Sequence, residues 1–291
     1  MKIVITIPAY NEEKTLPLVL DEIKGVMSET SYDYILLVLN DGSKDKTVKV
    51  AKEKGAIVIS NNRNLGLAET FKREMKECLK LKADIIVHTD ADGQYPAKYI
   101  PLMIKMIEEG HDIAMGSRFE KGNYSGSIMK KIGNVAFAKV FSKLLKSKLT
   151  DTTSGFRAFT PEVARLPLIN QFTYTQEQLI RAGKQKMRIV EIPIVTNKTR
   201  ESRLFKNSFD YAIKAWINIL RIYRDFEPLK FFGRIGFFFI FLGLILGIWI
   251  FLTLLDTGDV GGIPRVILCA LCFMTGIQII SFGFLADMER K

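Results

Sequence analysis

The sequence predicts an α/β sheet covered by helices on both faces, followed by two helices long enough to cross a membrane. Three observations predict it. β-branched runs such as Lys2-Ile3-Val4-Ile5-Thr6-Ile7 alternate with helical periodicity through the first hundred-odd residues. Several of these runs end in polar clusters, as at Tyr10-Asn11-Glu12, Asn40-Asp41-Gly42-Ser43 and Asp90-Ala91-Asp92-Gly93-Gln94. Near the C-terminus, residues 235–255 and 266–286 carry no charge at all.

Strands are expected near 2–7, 34–40, 56–60, 84–89, 112–116 and 187–195, where short apolar runs are bounded by turn residues. Helices are expected near 14–28, 46–54, 67–81 and 96–109. The first shows Leu16, Val19, Leu20 and Ile23 at helical spacing, and Pro96 suits a first turn, where its missing N–H costs nothing. From 125 to 148 apolar residues alternate with lysines, a pattern that fits a helix lying in the headgroup plane or one covering the core. Residues 205–232 repeat that character with Tyr211, Trp216 and Tyr223 among basic residues, and suit a juxtamembrane helix.

Composition bounds the rest. With 291 residues, 48% of them hydrophobic, the chain accommodates one sizeable domain plus a membrane segment. The first residues begin a strand, so no signal peptide is expected. The three cysteines, Cys78, Cys269 and Cys272, lack metal-ligand company and fit a reducing compartment. His88 and His111 are isolated and expected to be structural. The net charge of +11 is concentrated around 130–148, 198–206 and 214–234, ahead of the apolar tail. That placement suits anionic headgroups and a phosphate-bearing lipid, and no nucleic-acid signature accompanies it.

The Asp90-Ala91-Asp92-Gly93-Gln94 run carries the most chemistry. Carboxylates crowded at a strand end repel one another, so a cation is the natural occupant between them. Hard oxygen ligands suit Mg²⁺ or Mn²⁺. Taken alone, the same residues also make an ordinary turn.

Together with that run, Ile7-Pro8-Ala9-Tyr10-Asn11-Glu12-Glu13 and Asn40-Asp41-Gly42-Ser43-Lys44-Asp45-Lys46-Thr47 resemble glycosyltransferase family 2, whose nucleotide-sugar-binding fold is called GT-A. Gly116-Ser117-Arg118, Thr153-Ser154-Gly155-Phe156-Arg157 and Glu191-Ile192-Pro193 narrow the resemblance to polyprenyl-phosphate glycosyltransferases, of the dolichyl-phosphate mannose synthase and undecaprenyl-phosphate glucosyltransferase kind. The resemblance covers roughly residues 1–205 and, more loosely, the tail. It implies inverting transfer of a hexose from a nucleotide diphosphate sugar to a polyprenyl phosphate.

The resemblance also implies roles. Pro8, Tyr10 and Glu12 would line the nucleoside, Asn40 and Asp41 would lie under the base, and Asp90 and Ala91 would hold the ribose region. Asp92 would be catalytic and, with Gln94, would ligate Mg²⁺ or Mn²⁺ at the diphosphate. Arg118, also catalytic, and Lys131 would hold the acceptor phosphate. Arg157 suits an ion pair or a ligand equally. Lys198, Arg200 and Arg203 stand where the family has an Arg-x-Gly-x-Ser-Lys loop over the diphosphate. Arg200 in place of Gly removes backbone freedom there. Asn40 replaces the Asp common at that position, which favours a UDP-sugar over GDP-mannose, because an amide both donates and accepts.

The organisation expected is a GT-A domain over 1–204, a juxtamembrane helix over 205–232 and a transmembrane hairpin over 233–291. The link 256–265 holds one Arg, and basic residues lie before the first span and at Arg290-Lys291. The positive-inside rule then puts the catalytic domain and both termini in the cytoplasm. Partners expected are the nucleotide sugar, the lipid phosphate, the bilayer and, through the spans, a further copy of the chain. Two rival readings of the sequence are weaker. A processive polysaccharide synthase would carry Gln-x-x-Arg-Trp, whereas Ala182 follows Gln178-Leu179-Ile180-Arg181 here. A non-catalytic membrane scaffold would gain nothing from crowded carboxylates.

Overall fold

The computed structural model describes residues 1–119, 138, 142, 149–168, 174–197, 217, 220, 221 and 223–289. Two compact units divide the chain, Met1–Ile213 and Lys214–Lys291.

In the first unit, β1 (Lys2–Ala9), α1 (Leu16–Ser28), β2 (Asp33–Asn40), α2 (Thr47–Glu53), β3 (Ile57–Ser60), α3 (Leu67–Lys80) and β4 (Ile85–His88) alternate strictly. A single 3₁₀ turn at Ala97–Tyr99 leads into α4 (Ile100–Glu108) and then β5 (Ile113–Ser117). After the described chain resumes come β6 (Arg157–Phe159), α5 (Pro161–Ala164), α6 (Tyr174–Lys184) and β7 (Ile189–Pro193). The strands form a sheet of order β3-β2-β1-β4-β6-β5-β7. Among the described strands, only β6 runs against its neighbours, β4 and β5.

Side chains alternate across the sheet, and the alternation builds two cores. Ile3, Ile5 and Ile7 of β1 point to the face covered by α1 and α4. Val4 points to the opposite face, with Phe71 and Met75 of α3 and Leu179 of α6. Pro8 sits in a central strand without harm. Thr6 O accepts from Thr89 N on the β4 side, whereas Ala9 O accepts from Asp41 N on the β2 side. The missing N–H of Pro8 therefore faces β4 beyond the last paired residue, Thr6 opposite His88, where no ladder bond is lost.

All six expected strands and the four expected helices are present within a few residues. The sequence reading missed β6, α5 and α6. Three residues headed by a buried arginine give β6 no apolar periodicity to read.

The second unit is built on α7 (Pro228–Thr257) and α8 (Ile263–Met288), both long and apolar enough to cross a membrane. The first begins at Pro228, ahead of the expected 233, because proline at the first helical turn is preorganised for it. Gly258 ends it in the left-handed conformation, at φ 73°. The helices meet through small residues: a Cβ on Gly236 would lie 2.6 Å from the Gly276 carbonyl oxygen, and one on Gly283 would lie 2.9 Å from Phe232 Cβ. Close backbone approach of this kind is the usual packing of helices in lipid. Phe237, Phe241 and Ile248, by contrast, are exposed. The stretches 125–148 and 205–222 fall largely outside the described residues.

Candidate active site

Parallel strands deliver their carboxyl ends to one edge, and every described candidate residue lies along it. Ala9 pairs with Asn40 at the ends of β1 and β2, so Tyr10 and Asp41 emerge side by side. Thr6 pairs with His88, bringing Thr89 to Gln94 out beside them. Because β6 is reversed, its start at Ser154–Phe156 enters this edge between the ends of β4 and β5, and Arg118 follows β5.

The first two loops are laced together. Asn11 N donates to Ser43 Oγ at 2.9 Å, and Lys44 N donates to Asn11 Oδ1 at 2.9 Å. Glu12 N donates to Thr47 Oγ1 at 2.9 Å, and the buried Glu12 carboxylate accepts from Thr15 Oγ1 at 2.7 Å. Tyr10 stands exposed above them.

Asn40 and Asp41 are buried and engaged. Asn40 Oδ1 accepts from Ser43 N at 3.0 Å, while Nδ2 donates to Ser60 Oγ at 3.0 Å. Asp41 accepts from Asn61 Nδ2 at 2.8 Å and from the N–H groups of Leu65 and Gly66, each at 2.9 Å. Its carboxylate thereby fixes the loop from β3 into α3. A Cβ on Gly42 would strike the Arg63 carbonyl carbon at 2.6 Å, and the φ there is +71°. Glycine is required by both counts.

The Asp90–Gln94 turn is less committed. Asp92 Oδ1 accepts from Gln94 N at 2.9 Å, a short-range turn bond around Gly93. Among the described residues, no hydrogen bond ends on Asp90 or on Asp92 Oδ2. Asp90 is half-buried and its carboxyl is pushed up to about 6: burial is the chief cause, His88 opposes it, and Asp92 and Glu74 add repulsion. Gly155 closes over it, since a Cβ there would stand 3.5 Å from Asp90 Oδ1. No three His, Cys, Asp or Glu side chains converge among the described residues. A divalent ion held by Asp92 and Gln94 would complete its shell with phosphate oxygens or water, as Mg²⁺ commonly does. Two adjacent carboxylates short of donors fit such an ion.

Behind the turn lies a buried cluster that sequence reasoning did not find. Thr6 Oγ1 donates to Glu74 Oε1 at 3.0 Å. His88 Nδ1 lies 3.0 Å from Glu74 Oε2, at ion-pair distance but without hydrogen-bond alignment. Burial, the largest single cause, lowers the His88 pKa, but the contributions of Glu74 and Asp90 together exceed it and the net direction is upward. Phe71 meets the imidazole edge-on at 4.9 Å, so His88 is a packed core residue as expected.

Asn197, also missed, clamps the turn from above. Its backbone N donates to Gln94 O at 2.9 Å and its Nδ2 to Gly93 O at 3.0 Å. The chain leaving β7 is thus pinned beside Asp92 and Gln94 immediately before Lys198. Lys198, Arg200 and Arg203 lie outside the described residues, as does Lys131.

Arg118 is braced rather than loose. Its Nε lies 2.6 Å from Asp151 Oδ2, and Nη2 lies 2.9 Å from Oδ1 and 2.7 Å from Thr153 Oγ1. Burial alone would raise the Asp151 carboxyl, but the Arg118 fork holds it below the ordinary range. Glu191 of β7 sets Asp151 in place by accepting from the N–H groups of Thr150 and Asp151, each at 2.8 Å. Arg157 is fully buried among carbonyls, with Nε 2.9 Å from Ser154 O and Nη1 2.8 Å from Thr175 O. Burial lowers its pKa to about 10, and it serves the fold rather than a ligand.

Residues 4–165 match the family model described as "Glycosyl transferase family 2". The chain is 31% identical over 244 residues to a UDP-N-acetylglucosamine–dolichyl-phosphate N-acetylglucosaminyltransferase of Methanococcus voltae, covering 76% of this chain and 95% of that protein. It is 31% identical over 199 residues to the dolichyl-phosphate hexose transferase of Haloferax volcanii, covering 65% and 80%. Among solved structures, glucosyl-3-phosphoglycerate synthase of Mycobacterium tuberculosis with Mn²⁺, UDP-glucose and phosphoglyceric acid superposes with a TM-score of 0.58. At 22% identity over 75% of this chain and 79% of that one, the likeness speaks to the fold, which is GT-A-like. With the family model spanning more than half its length, the chain belongs to glycosyltransferase family 2 and is a glycosyltransferase.

Proposed function

We propose that this enzyme transfers a hexose, with inversion, from a nucleotide diphosphate sugar to a polyprenyl phosphate at the cytoplasmic face of a membrane crossed by α7 and α8. The observation that carries the reading is the Asp90–Asp92 pair, which among the described residues meets only one hydrogen-bond donor, Gln94 N on Asp92 Oδ1, and lies on the strand edge that also carries Tyr10, Asn40 and Arg118. Relatives named for dolichyl-phosphate transfer, over most of the chain, support the acceptor class. The basic sequence ahead of two apolar helices supports the cytoplasmic face.

In this reading Tyr10 and Glu12 border the nucleoside, Asn40 and Asp41 form the floor under the base, and Asp90 and Ala91 face the ribose. Asp92 and Gln94 would hold Mg²⁺ or Mn²⁺, which would supply Lewis-acid neutralisation of charge on the donor diphosphate. An acceptor oxygen bonds to the anomeric carbon as the bond from that carbon to the donor diphosphate breaks. A phosphate monoester has its second pKa near ~6 and is largely dianionic at neutral pH. The nucleophile therefore needs no protein base, and the task left to the protein is to offset anion–anion repulsion. Arg118, oriented by Asp151, takes the acceptor phosphate, with Lys131 as its companion. Lys198, Arg200 and Arg203 attend the donor diphosphate.

A UDP-sugar is the favoured donor, supported by Asn40 and by the Methanococcus relative named for a UDP-sugar. The test is incubation of the purified chain, in lipid, with labelled UDP- and GDP-sugars and a polyprenyl phosphate plus Mn²⁺. Label entering the lipid phase supports the proposal. Equal glycosylation of simple saccharides, or none of the lipid, overturns it.

A further inference from the structure

We infer that the face of α8 carrying Gln278 is a contact surface for a second copy of this chain, closed by a pair of Gln278 carboxamides. The inference rests on α8 crossing the bilayer. Its starting point is a polar group in the wrong place: Gln278 is exposed, and no hydrogen bond reaches its amide among the described residues. The uncharged stretch 266–286 is centred on residue 276. At 1.5 Å per residue, Gln278 lies about 3 Å from the midplane of a ~30 Å hydrocarbon core. A glutamine side chain cannot reach the headgroups from that depth.

Several other polar groups in the spans, though not Thr275, reach carbonyls of the hairpin itself. Thr253 Oγ1 donates to Trp249 O at 2.9 Å, Ser281 Oγ to Ile277 O at 3.0 Å, and Cys269 Sγ to Gly243 O at 3.3 Å. The amide of Gln278 brings two donors and an acceptor, and none is matched within the hairpin. Polar side chains in membrane helices characteristically bond across to another helix.

The surroundings say which helix. Cys272, Gly276 and Gly283 occupy the side buried against α7. Leu271, Met274, Gln278, Ser281 and Leu285 are all exposed and follow one another at intervals of three and four, the spacing of a helix–helix seam. No member of that seam is charged, so it calls for no oppositely charged partner. Two copies inserted the same way cross the bilayer in parallel, and a two-fold axis along the membrane normal sets like residues face to face. A carboxamide is self-complementary under that symmetry: each C=O accepts from the other's NH₂. One polar residue at a core position of such a seam also fixes register and copy number.

The test uses the full chain reconstituted in lipid vesicles, with energy transfer between donor- and acceptor-labelled copies followed across lipid dilution. Alkaline extraction is run beside it; a chain released from the vesicles overturns the membrane-spanning reading itself. The retained chain is expected to form dimers. Gln278→Leu should weaken self-association about five- to tenfold, Gln278→Asn should stay within about twofold, and Phe241→Leu on α7 should have no effect. A retained chain that is monomeric at every dilution, or Gln278→Leu dimerising like the parent, overturns the inference. So does Gln278-dependent association with a different membrane protein in place of a second copy.

Discussion

The guanidinium of Arg118 grips the buried carboxylate of Asp151 with two prongs, Nε 2.6 Å from one oxygen and Nη2 2.9 Å from the other. Bidentate pairing of this kind fixes the plane of the guanidinium as well as its charge. It also means that the residue proposed for the acceptor phosphate is already half-neutralised. Asp151 is a positioning residue, and Glu191 positions it in turn.

Removing the arginine leaves an unpaired buried charge. Arg118→Ala should therefore destabilise the chain by about 3–5 kcal/mol at neutral pH. Asp151 has its folded pKa depressed, so its stabilising contribution is present above the unfolded value near ~3.9. That contribution fades as pH falls through the folded pKa. In Arg118→Ala the depression is lost, so the gap in melting temperature between variant and parent should narrow as pH is lowered towards 3. A gap independent of pH would count against the pair as its cause. Asp151→Asn keeps the arginine but loosens its orientation, and should raise the acceptor KM while leaving donor binding within about twofold.

Metal dependence should run through Asp92. Asp92→Asn keeps the Oδ1 contact to Gln94 N available but removes the charge. Turnover should fall by orders of magnitude and Mn²⁺-dependent UDP binding should weaken, with the melting temperature little changed. Full activity in EDTA, or in the variant, would contradict the assignment of the ion to this turn.

Asn197 offers a gentler test of the same turn. Asn197→Ala deletes only the Nδ2 bond to Gly93 O, since the backbone bond to Gln94 O survives. An exposed hydrogen bond of this type contributes roughly 0.5–1.5 kcal/mol. UDP binding with Mn²⁺ should weaken a few-fold, whereas UMP, which does not span the diphosphate site, should bind as before. Equal losses for UDP and UMP would point to a general loosening of the nucleotide site instead.

Much of this architecture was legible in the sequence, for a local reason. Strands such as 2–9 and helices such as 16–28 announce themselves by apolar periodicity, and Asp90, Asp92 and Asn40 stand at the ends of apolar runs. What escaped was set by long-range pairing. Asp151 finds Arg118 across 33 residues and Glu191 holds Asp151 across 40, and neither separation leaves a periodic trace. β6 is three residues long, and its Arg157, which in the sequence suits an ion pair or a ligand equally, is held instead by the carbonyls of Ser154 and Thr175. Glu74, on a helix whose other face is solvated, carries no motif that marks it, yet it is fully buried beside His88.

The choice of base is the point at which Asn40 can be put to the question. Its amide orientation is fixed: Oδ1 towards Ser43 N and Nδ2 towards Ser60 Oγ. That leaves one N–H and one lone pair for a base. Uracil's adjacent C=O and N–H match both, whereas the two neighbouring donors of guanine would oppose the remaining N–H. Leaving a buried donor unmatched costs about 1–3 kcal/mol, which is roughly five- to 150-fold in affinity. Asn40→Asp should fold normally, because the carboxylate can still accept from Ser43 N and the Ser60 hydroxyl can turn to donate to it. The variant should lose the amide donor and bind GDP better relative to UDP, by about tenfold or more in the calorimetric affinity ratio. Should the parent bind GDP more tightly than UDP, or the ratio be the same in both proteins, Asn40 is a turn residue alone and the base is read elsewhere.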